Sequence, residues 1–107
     1  MARALINMPK TARRGEVIEI RALIGHPMET GYRPGADGVV QQRDIIRQFS
    51  VRYNGEQVFA AELHPAISAN PYIAFYTVAT ESGTLEFSWK GDYGFSQTET
   101  VAITVAG

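Results

Sequence analysis

The fold is decided by the stretch IIRQFSVRYNGEQVFAAEL, which occupies residues 45–63. Its first half alternates between apolar and polar positions, and a period of two is typical of a strand with one buried face. Asn54 and Gly55 follow at once, and both tolerate the left-handed backbone that a two-residue hairpin turn requires. Gln57 to Leu63 is then predicted to be the return strand. The inward positions of the first strand are predicted to be Ile45, Phe49, Val51 and Tyr53.

Similar alternation recurs along the rest of the chain, with turn signals about every ten residues and no helical period longer than about two turns. Two connections, His26 to Asp44 and His64 to Pro71, are too long for hairpins and are typical of crossovers between sheets. The sequence therefore predicts an all-β fold, an immunoglobulin-like antiparallel β-sandwich of about seven strands. We expect a single domain over residues 1–107. The remaining predicted strands are Leu5 to Met8, Glu16 to Ile24, Tyr72 to Thr80, Leu85 to Lys90 and Ser96 to Val105.

The predicted strand Tyr72 to Thr80 differs from the others because it is apolar on both faces. This pattern indicates either a central strand covered on both sides or a strand with one face under a partner. Aromatic side chains are also concentrated in the last third of the chain, more than one core face requires. They are predicted to form core, partner interface or both, since Tyr and Trp are enriched in interfaces. We therefore expect a stable complex that buries more than about 1,200 Å².

Composition excludes several classes of function. The net charge is −1, hydrophobic residues make up 45% of the chain, and there is no cysteine. The arginines are scattered and lack interleaved aromatic residues, so neither a nucleic-acid nor a membrane partner is expected. No apolar run approaches the ~18 residues of a spanning helix. The start of the chain is too short an apolar run before Asn7 for a signal peptide, so no leader of its own is expected.

The residues most suited to recognition or chemistry form the hexapeptide His26-Pro27-Met28-Glu29-Thr30-Gly31. It follows a strand and opens a long connection, where sandwich folds usually carry their binding residues. No nucleophile elbow or catalytic triad accompanies it, so no catalytic residue is predicted. A metal site that combines His26 and His64 with Met28 or Glu29 stays conceivable but lacks a full ligand set. The alternative is that each histidine caps a turn or bonds to loop backbone.

The ordered set of these motifs resembles the SoxZ family. The hexapeptide resembles the His-Pro-Met-Glu-Thr-Gly loop of that family, and several weaker motifs follow it in the expected order over nearly the whole chain. Single elements such as Asn-Gly are weak, whereas the ordered set with the hexapeptide is specific. The later motifs are Asn54-Gly55, Asn70-Pro71-Tyr72, Ser82-Gly83-Thr84-Leu85 and Trp89 with Gly91-Asp92.

The resemblance implies a non-catalytic scaffold subunit without cofactor or metal. It implies a heterodimer with a SoxY-like chain, whose C-terminal cysteine arm holds covalent sulfur intermediates during thiosulfate oxidation. Transient contact with other sulfur-oxidation enzymes and a periplasmic location, reached by export with the partner, are also implied. The missing cysteine agrees with this, because a thiol here could capture sulfur by exchange. The predicted partner-binding residues are His26, Pro27, Met28, Glu29, Thr30, Gly31, Asn70, Pro71 and Tyr72.

Two other interpretations stay open at this point. One is a stand-alone immunoglobulin-like protein-binding module, or the SoxZ-like half of a fused carrier. The other is a metal-dependent enzyme that uses His26, Met28 and Glu29. Within the carrier interpretation, the hexapeptide has two possible roles. Met28 and Glu29 form a docking surface near the partner's arm, or Pro27 and Gly31 only shape a crossover.

Overall fold

The computed structural model describes residues 3–29, 31, 38, 42–64 and 69–107. Within these residues the chain is almost entirely β, and its one helical element is a 3-10 turn at Asp92–Gly94. Of the predicted partner-binding residues, Thr30 lies outside the described part. The strands are β1 (Ala4–Asn7), β2 (Thr11–Arg13), β3 (Val17–Ile24), β4 (Ile46–Tyr53), β5 (Glu56–Glu62), β6 (Tyr72–Val78), β7 (Gly83–Gly91) and β8 (Ser96–Ala106).

The strands form two sheets, which confirms the predicted immunoglobulin-like sandwich. One sheet has three strands in the order β1-β3-β6, and the other has five in the order β2-β8-β7-β4-β5. All pairs are antiparallel except β2, which runs parallel to β8. This short strand is the one that the sequence did not predict. It has only three residues, and only Ala12 among them is partly buried, so no alternation can develop.

The hairpin that decides the fold forms as predicted. Asn54 and Gly55 both have positive φ, 49° and 84°, which matches the turn type expected for two-residue hairpins. The Asn54 side chain also accepts a hydrogen bond of 3.0 Å from the Thr84 backbone N–H. The turn is thereby tied to the start of β7, so the hairpin and the next strand are held in one register.

The core lies between the inward faces of the two sheets. All four predicted inward residues of the hairpin are buried. Phe49 lies 5.2 Å from Trp89 within the large sheet, and Phe59 stacks on Phe75 at 4.4 Å across the two sheets. Each such large side chain contributes about 1.5–3 kcal/mol through burial. The fully buried large residues are Trp89, Phe49, Phe87, Ile18, Ile20, Ile24, Ile45, Ile46, Leu85 and Val51.

Strand β6 corrects one expectation. It is an edge strand of the three-stranded sheet, so the prediction of a central strand with both faces covered is wrong. Its inward face packs on the core through Phe75, which is 5% exposed. Its outward face carries Tyr72 and Tyr76, which are 56% and 66% exposed. The sequence pattern alone does not show whether an apolar strand face is buried by the chain itself or by another chain.

No helix in the described part of the chain is long and apolar enough to span a membrane.

Candidate functional site

Several connections meet at one end of the sandwich, which we call the loop end. It consists of residues 25–29, 42–46, 63–64, 69–71 and 91–95. These residues lie at or after the ends of β3, β5 and β7 and at or before the starts of β4, β6 and β8. Three connections, from β3 to β4, from β5 to β6 and from β7 to β8, therefore meet at the same end of the sandwich.

The two predicted partner-binding segments lie together at the loop end. Asn70 donates its backbone N–H to the His26 carbonyl oxygen at 2.7 Å, and its side-chain oxygen accepts the His26 backbone N–H at 2.9 Å. Glu29 and Asp44 exchange two backbone hydrogen bonds of 2.8 Å each. The hexapeptide is consequently fixed on one side by residue 70 and on the other by residue 44.

His26 is buried, with 6% of its surface exposed. Its Nδ1 accepts the Met28 backbone N–H at 3.0 Å, and the ring meets Phe95 edge-on at 5.3 Å. Because Nδ1 is an acceptor, the neutral ring carries its proton on Nε2. Nε2 lies 3.6 Å from Asp44 Oδ1. His26 thus forms a hydrogen bond with the loop backbone, which agrees with the prediction that the histidines cap turns or bond to loop backbone.

Met28 is also internal, at 3% exposed, and its sulfur accepts the Ile46 backbone N–H at 3.2 Å. Its φ of 51° is left-handed, which is uncommon for a residue with a side chain. In this conformation Met28 packs inside the loop end of the isolated chain, and its contact with a partner stays a prediction. Among the other predicted partner-binding residues, Pro71 is buried, Glu29 and Gly31 are half-buried, and Pro27, Asn70 and Tyr72 are exposed. Their contact with a partner stays a prediction.

Asp92 gathers charged groups at the loop end. Its carboxylate accepts hydrogen bonds from Arg43 Nε at 3.0 Å and Nη2 at 3.1 Å, and from the Ile45 backbone N–H at 3.1 Å. Arg47 Nε lies 3.3 Å away. Burial opposes ionisation, but the Ile45 N–H and the two guanidiniums outweigh it, so the pKa of Asp92 lies below its ordinary value. Arginines that are scattered in sequence therefore meet on one carboxylate.

The outward side of the three-stranded sheet is largely apolar, and we call it the apolar sheet face. Leu5, Leu23 and Tyr72 form one row across the three strands, and Val17 pairs with Val78 further along. Tyr76 lies between these rows. An exposed apolar surface that extends across a whole sheet is typical of an interaction site. The large apolar and tyrosine residues of the apolar sheet face are Leu5, Val17, Leu23, Tyr72, Tyr76 and Val78, and Glu19 and Arg21 are its charged residues.

Polar groups within the apolar sheet face satisfy one another. Glu19 accepts hydrogen bonds from Arg21 Nε at 2.9 Å and from the Tyr76 hydroxyl at 3.0 Å. The bonds from Arg21 and Tyr76 hold the pKa of Glu19 below its ordinary value, and the bond to Glu19 raises the pKa of Tyr76. A partner that covers this face would therefore meet paired polar groups, whose burial costs less than that of unpaired ones.

The outward side of the five-stranded sheet has the opposite character, and we call it the polar sheet face. Ser88 and Thr98 lie opposite each other there, with hydroxyl oxygens 3.4 Å apart. Such a surface is satisfied by water. The exposed residues of the polar sheet face are Gln48, Arg52, Glu86, Lys90, Thr98 and Thr100.

The family is shown by sequence comparison. The profile of the family described as "Sulphur oxidation protein SoxZ" matches residues 6–102, nearly the whole chain. This chain belongs to the SoxZ family. No curated protein matches it in sequence. The matched residues include the loop end and most of both sheets.

Solved structures share the fold at low sequence identity. A superoxide reductase (neelaredoxin) from Ignicoccus hospitalis aligns with a TM-score of 0.75 and 18% identity, over 98% of this chain and 82% of that chain. The sulfur carrier protein SoxY from Chlorobium limicola f thiosulfatophilum aligns with a TM-score of 0.66 and 12% identity, over 97% and 79%. These values show that the SoxZ-family chain and both proteins have the same type of sandwich.

The metal interpretation finds no ligand set in the described residues. No three His, Asp or Glu side chains among them lie together in a way that could hold a metal ion. His26 lies in the loop end with Nδ1 already occupied by the Met28 N–H. His64 lies at the end of β5 and is exposed. Both histidines of this SoxZ-family chain thus lie at the loop end, but neither belongs to a group of three possible metal ligands within the described residues.

Sequence reasoning missed part of the candidate site. Asp92 was named only as part of the Gly91-Asp92 motif, and Leu5 and Val17 were not assigned to a surface. One signal was available: β3 is apolar at Val17 and Leu23, at both ends of the face that Glu19 and Arg21 mark as outward. A strand whose outward positions are partly apolar indicates a covered face.

Proposed function

We propose that this chain is the non-catalytic scaffold subunit of a heterodimeric sulfur carrier. It pairs with a SoxY-like chain whose C-terminal cysteine arm holds covalent sulfur intermediates during thiosulfate oxidation. The observation that carries the proposal is the apolar sheet face. Tyr72 and Tyr76 on it are more than half exposed, whereas Phe75 between them is buried in the chain's own core.

The apolar sheet face has the composition of an interface centre. Tyrosines are enriched among residues that dominate binding energy, and here aliphatic residues surround them. A stable complex buries about 800 Å² on each partner, an area that the outward side of a three-stranded sheet can supply. Strand β6 is also an edge strand, so its outer backbone groups are available to a partner.

Two further facts support a SoxY-like partner. The family is a sulfur-oxidation family, and the chain shares its fold with a SoxY sulfur carrier. Similar sandwiches can pack sheet on sheet, with interdigitating side chains about 10 Å apart. The sulfur chemistry would then lie entirely on the partner's cysteine, because this chain has no thiol to take up sulfur. We also propose a periplasmic location, reached together with the partner.

Pairing can be tested with matched charge substitutions on the two faces. The double variant Tyr72→Glu, Tyr76→Glu places two carboxylates on the apolar sheet face. The control Thr98→Glu, Thr100→Glu places two carboxylates on one strand of the polar sheet face. We expect the first variant to bind a SoxY-type chain at least about 100-fold more weakly in isothermal titration calorimetry. The control should bind within about threefold of wild type.

Thermal unfolding of the isolated variants separates binding from folding. Both double variants should melt close to the wild-type temperature, since all four positions are exposed. Wild-type affinity in the tyrosine variant would contradict the proposal. Formation of a stable homodimer that excludes the SoxY-type chain would instead support the interpretation as a stand-alone binding module.

A further inference from the structure

A groove at the junction of the loop end and the polar sheet face is rich in cations. It has a volume of about 340 Å³. Arg43, Arg47 and Lys90 line it together with one carboxylate, Glu62, so the formal charge of its lining is three minus one, or +2. Asp92 lies behind the arginines and reduces the local charge to +1. The remaining lining residues are Ile45, Gln48, Leu63 and His64.

Asp92 holds the two guanidiniums but uses only some of their N–H donors. It accepts Nε and one Nη of Arg43, and it approaches only Nε of Arg47. A guanidinium has further N–H donors in a rigid fork, so most donors of Arg47 and the outer edge of Arg43 stay unused by Asp92. The side chains are 48% and 58% exposed, whereas that of Asp92 is 13% exposed. Asp92 is therefore largely covered, whereas the two arginines that it holds are exposed and line the groove.

The local backbone explains how Arg47 comes to lie there. The register between β4 and β7 shifts between Ile46 and Gln48, so Arg47 has no paired residue on β7. Bulges of this kind re-aim a side chain at the rim of a sheet. The Arg47 carbonyl oxygen accepts the Leu63 backbone N–H at 2.8 Å, which holds the irregularity against the end of β5. The side chain of Lys90 makes no hydrogen bond or ion pair within the described residues, so its charge is available.

We infer that this groove binds a tetrahedral sulfur oxyanion, with Arg47 and Lys90 as its principal donors and Arg43 as a third. Planar guanidiniums and an ammonium suit such anions, because charge-assisted N–H bonds to oxygen are short and strong. The same chemistry belongs to a free anion such as thiosulfate and to a sulfonate group carried on a cysteine. Binding of a free anion needs no partner. The carried source rests on the proposed function.

Titration of the full chain with sodium thiosulfate and sodium sulfate tests the site. Backbone amide signals in NMR spectra are followed at constant ionic strength, adjusted with sodium chloride. We expect saturable shifts at residues 45–48, 62–64 and 90, with a dissociation constant on the order of 1 mM. Arg47→Gln combined with Lys90→Gln should weaken binding about tenfold, because the two principal charged donors are lost and Arg43 remains.

Arg52→Gln is the matched control. Arg52 lies on β4 and is exposed on the same sheet, but it is not part of the groove. It should change the affinity by less than about twofold. If the double variant unfolds, Lys90→Gln alone still tests the site, because Lys90 has no described partner. Shifts that do not saturate, or that Arg52→Gln reduces as much as the groove variants do, would overturn the inference.

A peptide that carries S-sulfocysteine distinguishes the two sources. Competition between the peptide and thiosulfate for the same amide signals supports a carried sulfonate. Binding of thiosulfate without binding of the peptide supports the free anion, and binding of neither overturns the inference. The Tyr72→Glu, Tyr76→Glu variant should retain anion binding, because its substitutions lie on the other sheet. Failure of partner pairing and failure of anion binding are thereby separable.

Discussion

The two outward sheet faces of this chain are built from strands with the same alternation, yet one is apolar and the other polar. On the three-stranded sheet the outward positions include Tyr72, Tyr76 and Val78. On the five-stranded sheet they are hydroxyl, amide and charged residues such as Thr98 and Lys90. Both sheets bury their inward faces equally well. The difference therefore teaches that formation of the core accounts for the inner faces but not for the outer ones, a contrast that the proposed partner on the apolar sheet face explains.

The largest effect should come from a single tyrosine on the apolar sheet face. Tyr76→Ala removes the most exposed large side chain of that face. We expect it to weaken binding of a SoxY-type chain about 30-fold, as for an interface hot spot of about 2 kcal/mol. Ser88→Ala, on the polar sheet face, should change the affinity by less than about twofold. Equal losses in titration calorimetry for both variants would remove the distinction between the faces.

The joint between the two sheets comes next. Met28 follows β3 of the small sheet, and its sulfur accepts the N–H of Ile46 in β4 of the large sheet. Met28→Leu keeps the volume but leaves that buried N–H without an acceptor. Chemical unfolding should show that it costs at least about 1 kcal/mol more than Met8→Leu, a half-buried methionine with no such bond. Equal costs would mean that packing alone holds the joint.

A third effect concerns acid stability, and it compares two carboxylates with lowered pKa values. Asp92 at the loop end ionises more readily when folded, so its contribution to stability is present above its ordinary pKa of 3.8. That contribution is lost as the pH falls through the lower, folded pKa. Asp92→Asn should be less stable than wild type at neutral pH and should lose less stability over this acid range. The measurement is the free energy of unfolding of both proteins from pH 6 to pH 2. Parallel pH profiles of wild type and variant would contradict the expected role of Asp92.

Glu19→Gln provides the comparison on the apolar sheet face. The pKa of Glu19 is also lowered, by Arg21 and then Tyr76, but Glu19 is solvent-accessible in the isolated chain. Its effect on acid unfolding should be smaller than that of Asp92→Asn, because water screens exposed ion pairs. In the complex, the same substitution should weaken partner binding more than it weakens folding.

The smallest effect is expected on the polar sheet face. Thr100→Lys should alter the free energy of unfolding by less than about 0.5 kcal/mol, as is usual for exposed positions away from special features. It should leave partner affinity unchanged. A marked loss of affinity would reveal that the five-stranded sheet is also covered in the complex.

Local patterns explain why most of the fold was predictable. The hairpin at residues 45–63 needs only alternation and the backbone preferences of Asn54-Gly55, and both are properties of neighbouring residues. β2 escaped prediction because three residues give no period. The sequence pattern of β6 allowed either a central strand or a strand with one face under a partner. The strand order of the sheet shows that β6 lies at an edge, which excludes a central strand. The strand order depends on pairing between distant segments, which periodicity does not contain.

The candidate site was less predictable for the same reason. The hexapeptide was identified as important from its composition, but the depth of His26 and Met28 depends on contacts with Asn70, Asp44 and Ile46. Met28 looks like an adaptable surface residue in sequence. Its left-handed backbone turns the side chain into the interior, and nothing in the local pattern requires that conformation.

The hydrogen bond on the Met28 sulfur also has a consequence for oxidation chemistry. Conversion of methionine to its sulfoxide requires that an oxidant reach the sulfur. Here the residue is buried and its sulfur accepts a backbone N–H, so oxidation requires local opening of the loop end. The rate of Met28 sulfoxide formation under a fixed concentration of hydrogen peroxide therefore reports how often this end of the sandwich opens. The chain has no cysteine, so no thiol competes for the peroxide, and oxidation of Met28 can be used as a probe of that opening.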